Sequence, residues 1–438
     1  MTDTVMTETP MTETPMIETP MATDGLVDDD STRSEVRGWL SANWNPTLTR
    51  AEWAERVVDS GWAAPTWSTQ WHGRGSTGAQ AKIVAEEFTR VAATGTGQDK
   101  HNLWANTLLA YGSDDLKRQM LRPLMLDQVV MCLLYSEPGA GSDLAGLQTR
   151  ADRDGDEWII NGQKVWTSNA AKAEYGMLIA RTDWDVPKHR GISFFWFPMR
   201  QPGVEVRPIK QITGEAHFNE VFITDARVPH ANMLGDVNDG WRVLQTALAY
   251  ERSVMGDQAR GPRNGVLLEQ GARPDLTKTI EQSGPSVGGA DVDLVALAKS
   301  RGVNDDPTIR QAITYVHSLR MVNKWNAQRA KAQLQQGTSS PILSLGKLAM
   351  SRILHLGAKV QGQILGTEAM LDGPAYVDAA DANFLALNAY FTSIGGGTDQ
   401  IQRNIIAERV LGLPKEPEPD RHLAFKDVRK ATIVRPER

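Results

Sequence analysis

The spacing of hydrophobic positions changes twice along the chain. In residues 31–128 apolar side chains recur at steps of three and four, as in GAQAKIVAEEFTRVA (78–92) and SDDLKRQMLRPLML (113–126), and this spacing predicts amphipathic helices. In the second segment Ser113 stands where a helix cap is needed, and Asp114 and Asp115 follow at the positive end of the helix. Near residue 129 the pattern shortens. Residues 129–135 are a β-rich apolar run, and strand-like runs follow at 154–168, 191–199, 204–209 and 219–229. Asp154-Gly155 and Asn161-Gly162 read as turns around short strands. Five or more such runs in about 100 residues predict a small all-β domain. From Trp241 the helical period returns in 241–256, 305–337, 344–366 and 397–413, four segments that suit a bundle. Residues 261–304, rich in Gly, Pro, Asp and Ser, read mostly as a long loop or insertion. The order is helices, strands, helices, an α+β chain.

With 438 residues, 41% hydrophobic and 23% charged, the composition is globular and two to three domains are expected. Residues 6–20 repeat MTETP, MTETP, MIETP; three prolines and no apolar period predict disorder there. Residues 1–30 hold eight acidic residues and no Lys or Arg, so the net charge of -6 belongs to this tail and the body is nearly neutral. A nearly neutral body excludes the basic footprint of a nucleic-acid binder. No window of about 18 uninterrupted apolar residues is present, so no membrane span is expected. The N-terminus lacks the basic and apolar regions of a secretory signal. A single cysteine, Cys132, excludes a disulfide framework and a thiolate metal cluster within one chain. No metal site is expected, and the cytoplasm is the default location.

Three segments carry candidate chemistry. YSEPGAGSD (135–143) follows an apolar strand. Gly139 and Gly141 let backbone approach a ligand, Ser136 and Ser142 offer hydroxyls, and successive amides can form an anion nest. Read alone, it is equally an ordinary glycine-rich turn. It is not a phosphate-binding G-x-x-x-x-G-K-[ST] loop, and no G-x-G-x-x-G follows a strand and opens a helix. In KVWTSNA (164–170), Trp166 can wall a flat ring while Thr167 and Ser168 bond its edge, although a strand-end tryptophan is more often core. In GGGTDQIQRNIIAERVLGLP (395–414), three glycines precede a helix whose first turn carries Thr398 and Asp399. That is a helix N-terminus suited to a polarised oxygen, or simply a capped helix.

Together EPGAGSD, WTS, the ALAYER helix and GGGT-x-x-IQR-x-x-x-AERVLGLP resemble the acyl-CoA dehydrogenase family, in the family's order, from about Gly61 to Pro414. GWAAPTW (61–67) belongs to the same resemblance. The resemblance implies an N-terminal helical domain (31–128), a middle β-barrel (129–234) and a C-terminal four-helix bundle (235–414) with 261–304 as insertion. Tails 1–30 and 415–438 flank them. It implies FAD, an acyl-CoA substrate and an electron-transferring flavoprotein as acceptor. It also implies a homodimer or homotetramer, with a heterotetramer as the alternative. In the family pattern Leu133, Tyr135, Ser136, Gly141 and Ser142 lie along the flavin. The Ser136 hydroxyl bonds the isoalloxazine edge, and Ser142 lies near the pyrophosphate and the coenzyme A arm. Trp166, Thr167 and Ser168 form the flavin wall, with Ser168 near N5. The segment Gln363 to Thr367, including Gly366, reaches the cofactor of a neighbouring subunit, and Thr398 and Gln400 make contacts beyond the glycines.

The implied reaction is α,β-dehydrogenation, in which a carboxylate takes the α-proton and the β-hydrogen leaves as hydride to flavin N5. Medium-chain members carry the base as a Glu just before the Gly-Thr of the third segment; here that position is Gly396. Isovaleryl-CoA and long-chain members carry it on the first bundle helix, where ALAYERS places Glu251. Glu251 is therefore assigned as base. The backbone N–H of Gly396 survives loss of the side chain and can still polarise the thioester oxygen. Gly397, Tyr250 and Arg252 complete the implied substrate contacts. One departure stands out: residues 257–280 hold no R-x-x-F-G motif, which in the family binds FAD across a subunit interface, and only Arg260 and Arg263 stand nearby. Two alternatives follow, an acyl-CoA oxidase-type flavoenzyme and a poorly active partner subunit of a heteromeric dehydrogenase.

Overall fold

In the computed structural model, residues 29–258, 293–335, 343–371, 373 and 375–428 are described. The MTETP repeats lie outside them. The end of the acidic segment does not: Asp29 and Asp30 open the first helix, α1 (Asp29–Asn43), at its positive end. Helices α2 (Arg50–Asp59), α3 (Gly78–Arg90), α4 (Gln98–His101), α5 (Leu103–Tyr111) and α6 (Asp114–Met125) follow. Capping boxes start α2 (Thr49 with Glu52) and α3 (Thr77 with Gln80), and the Ser113 hydroxyl accepts the Leu116 N–H of α6. Glu87 of α3 is buried against Arg33 (2.6 Å) and Arg37 (2.7 Å) of α1 and Arg90 (2.8 Å). Hydrogen bonding from Arg37, against the cost of burial and helped by Arg90 and Arg33, holds its carboxyl down at about 2.

The middle of the chain is one eight-stranded sheet. Its strands are β1 (Met131–Leu134), β2 (Arg150–Asp154), β3 (Glu157–Ser168), β4 (Tyr175–Arg181), β5 (Ile192–Pro198), β6 (Val204–Ile209), β7 (Phe218–Pro229) and β8 (Met233–Leu234). Pairing runs β6-β7-β3-β2-β4-β5-β8, with β1 parallel to β4. All eight strands send side chains into one interior, among them Cys132, Ala151, Trp158, Leu178, Phe195, Val206, Val221 and Met233, so the sheet wraps around its own core. The opposite faces of β1, β4 and β5 are buried too. Met131, Met177, Phe194 and Trp196 join a second core with α1–α3, α5 and α6. Burial on both faces explains why 129–135 and 191–199 read as unbroken apolar runs rather than as alternation.

Asp154-Gly155 turns the chain between β2 and β3, with Gly155 at φ +61°. Asn161-Gly162 does not turn it. β3 runs straight through, and its pairing with β7 shifts register between Ile160 and Gly162. The Asn161 side chain bonds Asp225 across the shift (2.9 Å), and a Cβ at position 162 would lie 2.4 Å from Thr149 Oγ1. Gly162 serves close packing, not a turn.

The C-terminal part contains α7 (Gly240–Gln258), α8 (Leu294–Ser300), α9 (Pro307–Gln335), α10 (Leu343–Leu365), α11 (Val377–Ile394) and α12 (Asp399–Ile405). Val243 and Leu244 of α7 belong to the second core. α10 packs against α9, α11 and α12. Within the expected loop 261–304, residues 261–292 lie outside the described residues, but 294–300 form a helix. The Asp293 carboxylate accepts the Val295 and Ala296 N–H groups, and Leu294 and Ala298 are buried. The segment 397–413 is also not one long helix: α12 stops at Ile405 and a single wider turn, Ile406–Val410, follows. The remaining long helix is α11, which the apolar spacing does not announce. Its buried positions are Ala379, Ala382, Asn388, Ala389 and Thr392, while Tyr390 and Ile394 are exposed.

Among the described residues no helix is long and apolar enough to cross a membrane, and no group of three or more His, Cys, Asp or Glu could hold a metal ion.

Candidate active site

The chain leaves β1 into residues 135–143. Glu137 and Ala140 exchange two backbone hydrogen bonds (3.0 and 3.1 Å), closing a tight turn over Pro138 and Gly139. The Glu137 carboxylate is buried 2.8 Å from Lys164 Nζ, itself fully buried on β3. It also accepts the N–H groups of Gln148 (2.7 Å) and Thr149 (2.9 Å), while Lys164 donates to the Tyr135 carbonyl (3.1 Å). Burial opposes the charge on Glu137 most strongly. Lys164 and the amide donors together outweigh it, and the carboxyl lies below the usual range. This glutamate is a strut, pinning the loop to β3. Beside it the Val165 N–H donates to the Ser136 carbonyl (2.9 Å), so the first two candidate segments lie side by side. Gly139 and Gly141 have ordinary φ, and a Cβ on either would meet nothing within 4 Å. The fold does not require glycine there, and the space above them is open.

At the end of β3 the ladder with β7 skips from Lys164 to Thr167, and Trp166 takes φ +62° within the skip. A left-handed tryptophan is costly backbone, and such bulges re-aim side chains. Trp166 ends 58% exposed, with its ring edge-on to Phe218 at 6.0 Å. Thr167, next to it, is wholly buried, and its Oγ1 has no hydrogen-bond partner in the described protein. Leaving a buried hydroxyl unsatisfied costs about 1–3 kcal/mol. Ser168 is half-buried and pairs with Phe218 in the ladder. The exposed ring, the orphaned hydroxyl and the open glycines fit a flat, polar-edged cofactor.

Phe218 connects this edge to the third segment. Its ring lies 5.5 Å from Phe391 of α11, and Phe391 in turn packs so closely on Gly395 that a Cβ there would come within 2.9 Å. Gly396 and Gly397 follow at φ +65° and +90°. Thr398 caps α12 by accepting the Ile401 N–H (3.2 Å), and Gln400 is exposed in its first turn. Asp399 accepts from Ser351 Oγ (2.8 Å) and pairs with Lys347 (3.4 Å), so it is committed to holding α12 on α10.

Other sequence-derived positions fall differently. Leu133 is half-buried and Ser142 exposed. The Tyr135 side chain faces the core, stacked edge-on to Phe194 and donating to Met177 Sδ (3.8 Å); only its backbone faces the loop. Gln363 and Gly366 stand exposed at the end of α10 and are not among the residues these contacts bring together. Glu251 and Arg252 lie on the backbone of α7, their side chains outside the described residues, as Arg260 and Arg263 are altogether. Position 251 falls one turn after Ala247 and two after Leu244, both fully buried. Tyr250 is half-buried; burial, then Tyr111 and Asp99, raise its phenol above the ordinary range. Tyr111 of α5 bonds Thr246 of α7 (2.8 Å), so the N-terminal helices wall this stretch of α7. The residues sequence reasoning missed are Glu137 and Lys164. The available signal was Lys164 at an inward register position of β3, in step with Trp158 and Ile160.

Comparison with known proteins gives matches along most of the chain. Family models described as acyl-CoA dehydrogenase N-terminal, middle and C-terminal domains match residues 29–127, 132–226 and 293–411. Acyl-CoA dehydrogenase IpdE1 of Mycobacterium tuberculosis is 34% identical over 421 residues, covering 89% of this chain and 99% of that protein. The short-chain specific acyl-CoA dehydrogenase of Sus scrofa mitochondria is 28% identical over 337 residues, 75% of each chain. Among solved structures, a chain of the Tcur3481-Tcur3483 steroid ACAD superposes with TM-score 0.64 at 24% identity, covering 89% of this chain and 98% of its own. A chain of the ChsE4-ChsE5 complex from Mycobacterium tuberculosis gives 0.59 at 26% identity, covering 90% and 100%.

Proposed function

Because the chain belongs to the acyl-CoA dehydrogenase family of FAD-dependent oxidoreductases, we propose that it converts an acyl-CoA thioester to the trans-2-enoyl-CoA with Glu251 as the α-proton base. The observation that carries the reading is the orphaned Thr167 hydroxyl beside the exposed Trp166, next to the open glycines of 135–143. FAD, when bound, supplies the acceptor for the β-hydrogen. Trp166 covers it, and Thr167, Ser136 and Ser168 bond its polar edge. Glu251 takes the proton from the α-carbon. The N–H of Gly396 hydrogen-bonds the thioester oxygen, where negative charge develops as that proton leaves. The bonds of Asp399 to Ser351 and Lys347 support Glu251 over Asp399 as the base.

The test is an anaerobic screen of acyl-CoAs, including branched and steroid side-chain thioesters, against the FAD-loaded protein. Loss of the flavin's visible absorbance with at least one thioester is expected. Reoxidation by an electron-transferring flavoprotein but not by oxygen separates a dehydrogenase from an oxidase. No FAD uptake, or no bleaching by any thioester, would overturn the reading. A second reading, a subunit that works with an unlike chain, is favoured by the missing R-x-x-F-G and by relatives solved as two-name complexes. Co-expression with neighbouring genes followed by native mass measurement tests it.

A further inference from the structure

The loop 135–143 needs both ends fixed if the open space above it is to keep its shape. Glu137 and Lys164 fix the first end. The second end continues into residues 143–147, and it is held by Arg181, at the end of β4. This arginine is fully buried. Its guanidinium donates to the carbonyls of Ala145 (2.6 Å), Leu147 (3.2 Å) and Lys188 (3.0 Å). Lys188 in turn pairs with Asp143 (2.9 Å). Arg181 thus joins residues 145 and 147 to the carbonyl of Lys188, and the Lys188–Asp143 pair links the run after Ser142 to the segment 184–190 directly.

The outer face of that guanidinium is closed from far along the chain. Phe425 is 2% exposed, with its ring centre 3.4 Å from Arg181 Cζ and 5.4 Å from the Trp184 ring. The backbone locks it there: the Phe425 N–H donates to the Val186 carbonyl (2.9 Å) and the Lys426 N–H to the Trp184 carbonyl (3.0 Å). Lys426 also pairs with Asp185. The match to the family model for the C-terminal domain ends at residue 411, so Phe425 lies past that match. A ring over a guanidinium keeps water from competing for its donors, and a cation over a ring is itself attractive.

We propose that residues 420–428 form a positioning strap for the coenzyme A arm: Phe425 seals Arg181, Arg181 holds residues 143–147, and these set Ser142 and the glycine loop in their binding geometry. The proposal rests on the acyl-CoA reading above and names Phe425 and Arg181 as positioning residues for it. Phe425 touches no substrate; it acts through the loop. Small displacements of binding groups are costly in such sites, so the strap's loss reads out as weakened coenzyme A binding.

The experiment uses the full FAD-loaded chain, its Phe425→Ala and Phe425→Tyr variants, and a chain ending at Pro419. Calorimetry with free coenzyme A gives affinity, and hydrogen exchange gives the protection of the Gly146 and Leu147 amides, which bond Asp143 and Leu144. Phe425→Ala and the shortened chain are expected to weaken coenzyme A binding by roughly tenfold, about one factor of ten in Kd. The same variants raise KM similarly, leave kcat within about twofold and expose both amides. FAD content stays unchanged, and Phe425→Tyr restores all readings. Unchanged exchange at residues 146 and 147 overturns the strap, and so does faster exchange with unchanged coenzyme A affinity. Failure of the wild-type chain to bind coenzyme A overturns the acyl-CoA reading and the strap's ligand role together, whereas variants indistinguishable from a binding wild type overturn the strap alone.

Discussion

The Thr167 hydroxyl is buried without a protein partner, beside a tryptophan held in left-handed backbone. Replacing it with valine removes an unsatisfied group from the apoprotein and a hydrogen bond from the FAD complex. Thr167→Val is therefore expected to leave the apoprotein melting temperature equal or higher and to weaken FAD binding by about tenfold, within the range of one hydrogen bond. Equilibrium dialysis and calorimetry check both signs. Glu137 gives the pH dependence. Its folded pKa is lowered, so its contribution is complete above the ordinary carboxylate value of about 4.3 and is lost as pH falls through the lowered one. Glu137→Gln should be less stable at neutral pH, by about 3–5 kcal/mol for a buried pair broken on one side. It should also lose less than the wild type on acidification, as denaturant melts at two pH values would show. The Cys132 thiol, pushed up to about 12 by burial, should resist thiol reagents until the chain is unfolded. At this scale the sequence showed the motif serines and WTS because their grouping is specific. It hid Lys164, whose role depends on a partner 27 residues earlier that only the folded sheet brings near.

Elements were legible where a buried face differs chemically from an exposed one. α6 announced itself through Ser113 and a clear apolar stripe, and the Ser113 cap forms. α11 hid because its inward face is alanine, asparagine and threonine while large apolar residues point outward. Asn161-Gly162 carried a turn signal whose chemistry is used for something else, a register shift in which glycine admits Thr149. Gly162→Ala is expected to cost about 2 kcal/mol through overpacking. Urea unfolding measures that cost. FAD content should fall with it, because the shifted ladder carries Trp166 and Thr167; a neutral substitution would contradict the close-packing account.

Across the whole molecule, one core spans the N-terminal helices, one face of the sheet and the start of α7, so the proposed ligand edges and the proposed base rest on a common frame. The bundle helices present the opposite picture. Tyr315, Val322 and Trp325 of α9 are exposed at helical spacing. We propose this stripe as an association face. Trp325→Glu is expected to lower the native mass seen by light scattering, whether the assembly is of like or unlike chains. The helices-strands-helices order was readable from period alone, but the proposed base was not, since helix spacing gives position 251 no chemistry of its own. The most direct measurement is rapid-mixing flavin reduction by the best acyl-CoA in Glu251→Gln. FAD and thioester should still bind while reduction slows by at least about 100-fold, the lower scale for a lost general base. Reduction near the wild-type rate would contradict the assignment of Glu251.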